Sequence, residues 1–208
     1  MNNSYQFDCY KCQTKCSGVS KGVYIFENDT AYSEKFENKI VELINEKTSK
    51  IAKRTNKPGY LDIEINNKSS GVICYIEIKA QQRTFMSVER LLPNADLKPS
   101  ETIALNLSDL KRYFDIYERI KIPIYLVWVV SNRPCILKNK KYEFFFQDLN
   151  ELQKIFRKYE MARRFRRKSG YGDVVNGQHK GVVVNYHFSL NELERDIVQL
   201  IYMLNDKL

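Results

Sequence analysis

Three charged side chains stand on two neighbouring segments that have the sequence pattern of β-strands. Apolar and charged residues alternate in 60–65 and again in 75–79, so Asp62, Glu77 and Lys79 are predicted to share one face of a hairpin. Two carboxylates at such a separation suit Mg²⁺, a hard cation that prefers oxygen ligands. An ammonium beside a metal-bound water can orient it and offset the negative charge that develops when it attacks phosphorus. The pattern therefore predicts phosphodiester hydrolysis.

The same alternation has a plainer explanation. The solvated face of any half-buried sheet alternates apolar and charged residues, and a Glu opposite a Lys is an ordinary cross-strand pair. Glu64 shares the predicted face of Asp62 and fits either a metal ligand or an outer, solvated carboxylate. By the same alternation Leu61, Ile63 and Ile65 are predicted to share the apolar face. The order of the surrounding elements is the observation that favours chemistry.

The elements that must position these residues follow one another in a definite order. Apolar residues recur at helical spacing from 31 to 47, and the hairpin strands are predicted at 60–66 and 72–79. A third strand is predicted at 102–107, then a helix over 108–120 that ends before Pro123, and a continuous apolar strand at 122–130 of the kind that is covered on both faces. Beyond it we expect a hairpin of 135–137 with 142–146, a helix over 148–168, a strand at 182–188 and a final helix.

With these elements in place, the sequence resembles the PD-(D/E)xK nuclease superfamily, whose motif would be Asp62 followed by Glu77-Ile78-Lys79. Element order agrees over 31–130, where the family has a core of helix, three strands, helix and strand. The resemblance implies an α/β fold, a restriction-endonuclease-like αβββαβ core with a mixed sheet flanked by helices. Leu61 stands where the family name has proline, and Pro58 lies further upstream.

The resemblance also implies further site residues. A first-helix glutamate often joins the metal shell in this family, which favours Glu37, with Glu34 second. A glutamine after the lysine is common in parts of the superfamily, here Gln81. The runs 77–81, 106–113 and 122–127 look like those of a group of uncharacterised bacterial nuclease-like proteins, found as defence or DNA-processing domains. The implied cofactor is Mg²⁺ or Mn²⁺.

A cysteine cluster precedes this core. Cys9, Cys12 and Cys16 begin with the spacing of a zinc site, and thiolates without a secretory signal more often bind metal than form disulfides. Cys135, Cys74, His179, His187 or a partner's side chain could supply a fourth Zn²⁺ ligand, and the resemblance leaves an Fe–S cluster open as well. Cys74 is also expected on the apolar face of its strand, where a small buried hydrophobe is the usual role.

Basic residues are concentrated in one segment. The chain carries 34 Lys and Arg against 25 acids, a formal charge of +9, and 154–168 holds eight basic residues and one acid, interleaved with aromatics. Such a segment can neutralise phosphates while its aromatic side chains pack onto the protein; the alternative is a merely soluble basic helix. The predicted contacts are Lys154, Arg157, Lys158, Arg163, Arg164, Arg166, Arg167 and Lys168.

These observations predict a Mg²⁺-dependent DNA nuclease of phage defence, restriction or DNA repair, with a cysteine-containing appendage at 1–30, a nuclease-like core at 31–147, and a basic helix, hairpin and terminal helix at 148–208. No apolar run approaches the roughly 20 residues of a membrane-spanning helix, and the N-terminus is not signal-like, so a cytoplasmic protein is expected. Cleavage of both strands would favour a homodimer. The alternatives are a non-catalytic nucleic-acid-binding module and a zinc-stabilised subunit of a larger complex.

Overall fold

The structure is a computed structural model that describes residues 26–68, 71–82, 84–166, 174–175, 178–179 and 183–206. The helices are α1 (Phe26–Lys47), α2 (Val88–Leu91), α3 (Leu107–Ile120), α4 (Pro134–Leu137), α5 (Leu149–Tyr159) and α6 (Ile197–Asp206). The strands are β1 (Ile51–Arg54), β2 (Ile63–Asn67), β3 (Gly71–Gln81), β4 (Thr102–Asn106), β5 (Ile124–Ser131), β6 (Tyr142–Asp148), β7 (Arg164–Arg166), β8 (Val174–Val175), β9 (Gln178–His179), β10 (Val184–Ser189) and β11 (Glu194–Arg195).

Among the described residues, six strands form the main sheet, in the order β1-β2-β3-β5-β6-β11. The pairing of β3 with β5 is parallel, and the other neighbours are antiparallel, so the sheet is mixed. The predicted hairpin of β2 and β3 is present, with Ile63 paired to Ile76. The continuous apolar run forms β5, which is buried at every position, as expected of a strand between two others and under cover on both faces.

Helices cover both faces of this sheet. On one face, Phe36, Ile40 and Ile44 of α1 pack with α6 against β2 and β3. On the other face, α3 and α5 pack around Trp128 together with the side chains of a second sheet. The alternation along β5 divides its side chains between the two layers, with Val127 and Val129 in the first and Trp128 and Val130 in the second.

The third strand of the predicted core is a different segment from the expected one. Thr102–Asn106 is a strand, but it belongs to a separate three-stranded sheet in the order β4-β10-β7. The strand that completes the αβββαβ order is β1, at the edge of the main sheet. Asn45 of α1 bonds both main-chain groups of Ala52, at 3.0 and 2.7 Å. The predicted α/β fold, a mixed sheet flanked by helices, is thus confirmed, with β1 in place of 102–107.

Two other expectations were wrong in detail. Residues 134–137 form a short helix that begins at Pro134, whose fixed φ suits the first turn, and the hairpin partner of β6 is β5. The helix predicted over 148–168 begins after Asp148, which caps it, and ends at Tyr159, because Glu160 adopts a positive φ of 32°. A 3-10 turn follows at Glu160–Arg163, and Arg164–Arg166 is strand β7.

Among the described residues, no helix combines the length and the apolar character that crossing a membrane requires.

Candidate active site

Asp62, Glu77 and Lys79 are brought together where β2 begins alongside β3. Asp62 lies at a bend one residue before β2, and its Oδ2 accepts a hydrogen bond from the Ile78 main-chain N–H at 2.7 Å. This bond holds the Asp62 carboxylate against β3, beside Glu77 and Lys79, which precede and follow Ile78 in the chain. The bend also turns Leu61 into the core layer of Trp128, away from Ile63, so the predicted alternation begins only at Asp62.

The Glu77 carboxylate is buried, with 3% of the residue exposed. Its Oε1 accepts hydrogen bonds from the Lys79 ammonium, at 2.5 Å, and from the Tyr113 hydroxyl of α3. Its Oε2 is buried and has no hydrogen-bond partner among the described residues. Because an unpaired buried oxygen is unfavourable in a folded protein, this atom is a candidate ligand for a cation.

Burial and neighbouring charges shift the pKa of the other two residues, Asp62 and Lys79. Burial raises the pKa of Asp62 to about 7 from its usual 3.8, and the Glu77 carboxylate adds to this effect while Lys79 opposes it. Burial lowers the pKa of Lys79, but the charges of Glu77 and Asp62 outweigh burial and raise it above its ordinary value. The charged form of Lys79 is therefore favoured, and the Asp62 and Glu77 carboxylates repel each other, which a bound cation would relieve.

Glu37, the residue that the resemblance adds from the first helix, lies at the same site. Burial raises the pKa of Glu37, Arg54 lowers it, and Glu34 and Glu77 raise it. Arg54 of β1 pairs with Glu37 Oε2 at 2.8 Å and with Glu34 at 3.4 Å. In this structure Glu37 is thus neutralised by an arginine at the border of the site, and Glu34 is an outer partner of that arginine.

Gln81 and Glu64 occupy positions with ordinary structural contacts. Gln81 Oε1 accepts a hydrogen bond from the Ala104 main-chain N–H at 3.1 Å, which ties the end of β3 to the second sheet. Glu64 pairs with Lys53 across β1 and β2 at 2.9 Å, and this hydrogen bond lowers the pKa of Glu64. Glu64 therefore fits the outer, solvated carboxylate that was one of its two explanations.

Tyr113 is a site residue that the sequence pattern did not predict. It is fully buried in the core around Trp128, and its hydroxyl is nevertheless placed on Glu77. Leu110, Tyr113 and Phe114 are spaced as one apolar helix face, so the pattern indicates only packing. The available signal was the phenol itself, because a buried tyrosine usually finds a partner for its hydroxyl.

The donors fit a hard divalent cation. Within the described ranges, no three His, Cys, Asp or Glu side chains form a cluster that could hold a metal ion. Asp62 and the unpaired oxygen of Glu77 nevertheless offer carboxylate oxygens, and Mg²⁺ is commonly held by one or two carboxylates while it keeps several waters. The residues present suit such a cation better than zinc, which usually takes four protein ligands in structural sites.

The cysteine prediction lies outside the described residues, since Cys9, Cys12 and Cys16 precede residue 26. The side chain of His179 is not described either. Burial raises the pKa of the Cys74 thiol to about 12, and Cys74 packs in the α1 layer as the predicted small hydrophobe. His187 is buried with Nδ1 3.2 Å from the Arg163 carbonyl, and Cys135 packs beside the Trp128 layer.

The basic segment is divided between surface and core. Arg157 and Lys158 are exposed on α5, and exposed Lys154 pairs with Glu151 at 2.6 Å. Arg164 is partly buried, and Arg166 is exposed on β7. Arg163, with 1% of the residue exposed, makes two bonds to the Glu192 carboxylate at 2.8 and 2.7 Å. It is therefore unable to reach a phosphate at the surface; Arg167 and Lys168 lie outside the described residues.

Comparison with known proteins finds similarity among solved structures. No protein-family model matches the sequence, and no curated protein matches it. Among solved structures, the chain is similar to Hjc, a Holliday junction resolvase from the archaeal hyperthermophile Archaeoglobus fulgidus, with a TM-score of 0.43 and 9% sequence identity. The similarity covers 82% of this chain and 96% of that chain.

Proposed function

We propose that this chain is a nuclease that hydrolyses DNA phosphodiesters with the help of Mg²⁺ or Mn²⁺. The observation that carries the proposal is the Glu77 carboxylate, buried beside Asp62 with one oxygen held by Lys79 and Tyr113 and the other unpaired. Buried carboxylates that repel each other and leave an oxygen unpaired destabilise a fold. Such arrangements are typical of functional sites.

Each residue has a role that follows from its position. Asp62 and Glu77 would hold the divalent cation, which when bound makes a water more acidic and offsets charge on the phosphoryl group. Lys79 would serve as a donor that orients the water or offsets the negative charge that develops on the phosphoryl group. Glu37 would assist from α1 if Arg54 released it, and Gln81 would orient the nucleophile or the phosphate from the end of β3.

The exposed basic residues of α5 would hold the nucleic-acid backbone. Arg157 and Lys158 lie on the helix that packs beside α3, and α3 carries Tyr113. Contacts of this kind bind phosphates without reading sequence.

The test is cleavage of supercoiled and linear DNA, with an RNA substrate in parallel, in Mg²⁺ or Mn²⁺. Wild type is compared with Asp62→Asn and Lys79→Met, and the matched control is Glu64→Gln, which alters a carboxylate on β2 outside the site. We expect metal-dependent cleavage of DNA, a loss of 100-fold or more in the two site variants as for removal of a group that stabilises the transition state, and near wild-type rates in the control. Site variants that cleave as fast as wild type would overturn the proposal.

A second function is favoured by the internal ion pairs. Arg54 with Glu37 and Lys79 with Glu77 compensate two acids without any metal, which suits a non-catalytic nucleic-acid-binding module. That module would bind DNA equally well in EDTA and would show no turnover with any divalent cation.

A further inference from the structure

The Tyr113 side chain makes a contact that packing alone does not require. Its ring is buried with Leu110 and Trp128, while its hydroxyl reaches Glu77 Oε1. A carboxylate oxygen only accepts, so the phenol is the donor in this bond. The phenol oxygen in turn lies 3.4 Å from an Arg112 guanidinium nitrogen, which is a donor and pairs with Asp109 at 3.1 Å. The proton of Tyr113 is thus directed to Glu77 alone.

The two donors on Glu77 differ in stiffness. Lys79 reaches Oε1 through a four-carbon chain with many rotamers and is partly exposed, with 27% of its side chain accessible. Tyr113 is fixed by two torsions and a full shell of core contacts. Because both donors take the same oxygen, they hold the carboxylate in one rotation and leave Oε2 buried and unpaired.

We propose that Tyr113 is a positioning residue that turns Oε2 of Glu77 toward a divalent cation. This inference rests on the proposed function, since it assigns the metal-binding oxygen of that same site. Without the phenol, the carboxylate can rotate about its last torsion to share both oxygens with Lys79. The cation would then compete with the ammonium for the oxygen that it needs, and its affinity would fall.

The test uses Tyr113→Phe, which keeps the ring and removes only the hydroxyl. The matched control is Tyr117→Phe on the same helix, where the hydroxyl accepts a bond from Asn150 at 2.9 Å, away from the site. Binding of Mn²⁺ to the folded protein is measured without DNA, by calorimetry and by the loss of the free-ion electron paramagnetic resonance signal. We expect about tenfold weaker binding in Y113F, the usual size for removing a group that orients a metal ligand, and wild-type binding in Y117F.

Cleavage provides a second measurement that a merely structural role would not change. The Mn²⁺ concentration for half-maximal rate should rise about tenfold in Y113F, while the rate at saturating Mn²⁺ stays close to wild type. Wild-type affinity in Y113F, with affinity lost in Glu77→Gln, would overturn the role of Tyr113 and leave the proposed function intact. Absence of Mn²⁺ binding in the wild type itself would overturn both.

Discussion

Asp62 shows how strongly its surroundings change a single side chain. The carboxylate keeps one main-chain hydrogen bond, from Ile78, yet burial and the nearby Glu77 raise its pKa to about 7. In the unfolded chain its pKa returns to the usual 3.8. The folded protein therefore binds the proton more tightly than the unfolded chain does between these two values.

This difference predicts the sign of a pH effect. Without metal, the contribution of Asp62 to the free energy of unfolding should fall as pH rises from about 4 to about 7, because the charged carboxylate is costly to bury. Asp62→Asn keeps an acceptor for the Ile78 N–H and removes the negative charge. In EDTA at pH 8 this variant should be more stable than wild type by on the order of 2 kcal/mol, a value reduced because solvent partly screens the side chain. At pH 4 the two proteins should be equally stable. Urea unfolding at both pH values measures this gap.

Glu64→Gln, two residues further along the chain in β2, is the control. Lys53 lowers the pKa of Glu64, so the charged form is already favoured in the folded protein. Its replacement should leave stability at pH 8 unchanged or slightly reduced, the opposite direction from Asp62→Asn. A wild-type protein that is as stable as Asp62→Asn at pH 8 would show that the charge of Asp62 is not costly.

At this scale the sequence could predict part of the site. Alternation along β3 was sufficient to place Glu77 and Lys79 on one face, whereas Asp62, at the bend before β2, is held beside them by the Ile78 main-chain N–H. Tyr113 could not be found in the same way, since its contact with Glu77 depends on how α3 packs across β3, and helix spacing does not contain that information.

Arg163 marks the limit of sequence reasoning at the scale of elements. Because residues 154–168 hold eight basic residues, the sequence pattern predicts Arg163 as an exposed cation. In the structure it joins three segments: its Nε bonds the Ala95 carbonyl at 3.0 Å, and its Nη1 bonds Glu192, which also accepts from the Ser189 main-chain N–H. The helix predicted through 168 ends early, and Arg163 turns inward from the 3-10 turn that follows.

The prediction is that Arg163 supports the fold and takes no part in binding DNA. Arg163→Met should lower the free energy of unfolding by about 3 kcal/mol, because it leaves Glu192 without its buried cation. Arg166→Met removes an exposed arginine three residues further on and should change stability by less than about 0.5 kcal/mol. Urea denaturation gives both values. Equal stability of R163M and wild type would contradict the structural role of Arg163.

The strands illustrate the same limit. The segment 102–107 has a clear strand pattern and contains β4, but the partner of β4 is β10, which lies more than 70 residues later in the sequence. The edge strand β1 has only four residues, two of them basic. The Asn45 side chain of α1 makes hydrogen bonds with the main-chain N–H and C=O of Ala52 in this strand. Local pattern predicts that a strand exists, whereas the choice of sheet depends on distant partners.

At the scale of the whole molecule, exposed basic residues lie on both faces of the main sheet. Arg157 and Lys158 belong to α5, on the same face of the main sheet as α3 and Tyr113, whereas Lys35 and Lys47 belong to α1 on the opposite face. All four side chains are exposed. If a net charge of +9 attracted DNA without regard to position, both pairs would contribute equally.

The proposed site predicts that Arg157 and Lys158 contribute more to DNA affinity than Lys35 and Lys47 do. Each lysine or arginine that neutralises a phosphate adds about 0.9 to the slope of log affinity against log salt concentration. Arg157→Gln with Lys158→Gln should reduce that slope by about 2, and the charge-matched pair Lys35→Gln with Lys47→Gln should leave it nearly unchanged. Fluorescence anisotropy of a labelled duplex in EDTA, over a range of salt, measures binding without cleavage. Equal losses in the two double variants would mean that DNA is attracted by net charge alone, and an unchanged slope in both would remove α5 from the interface.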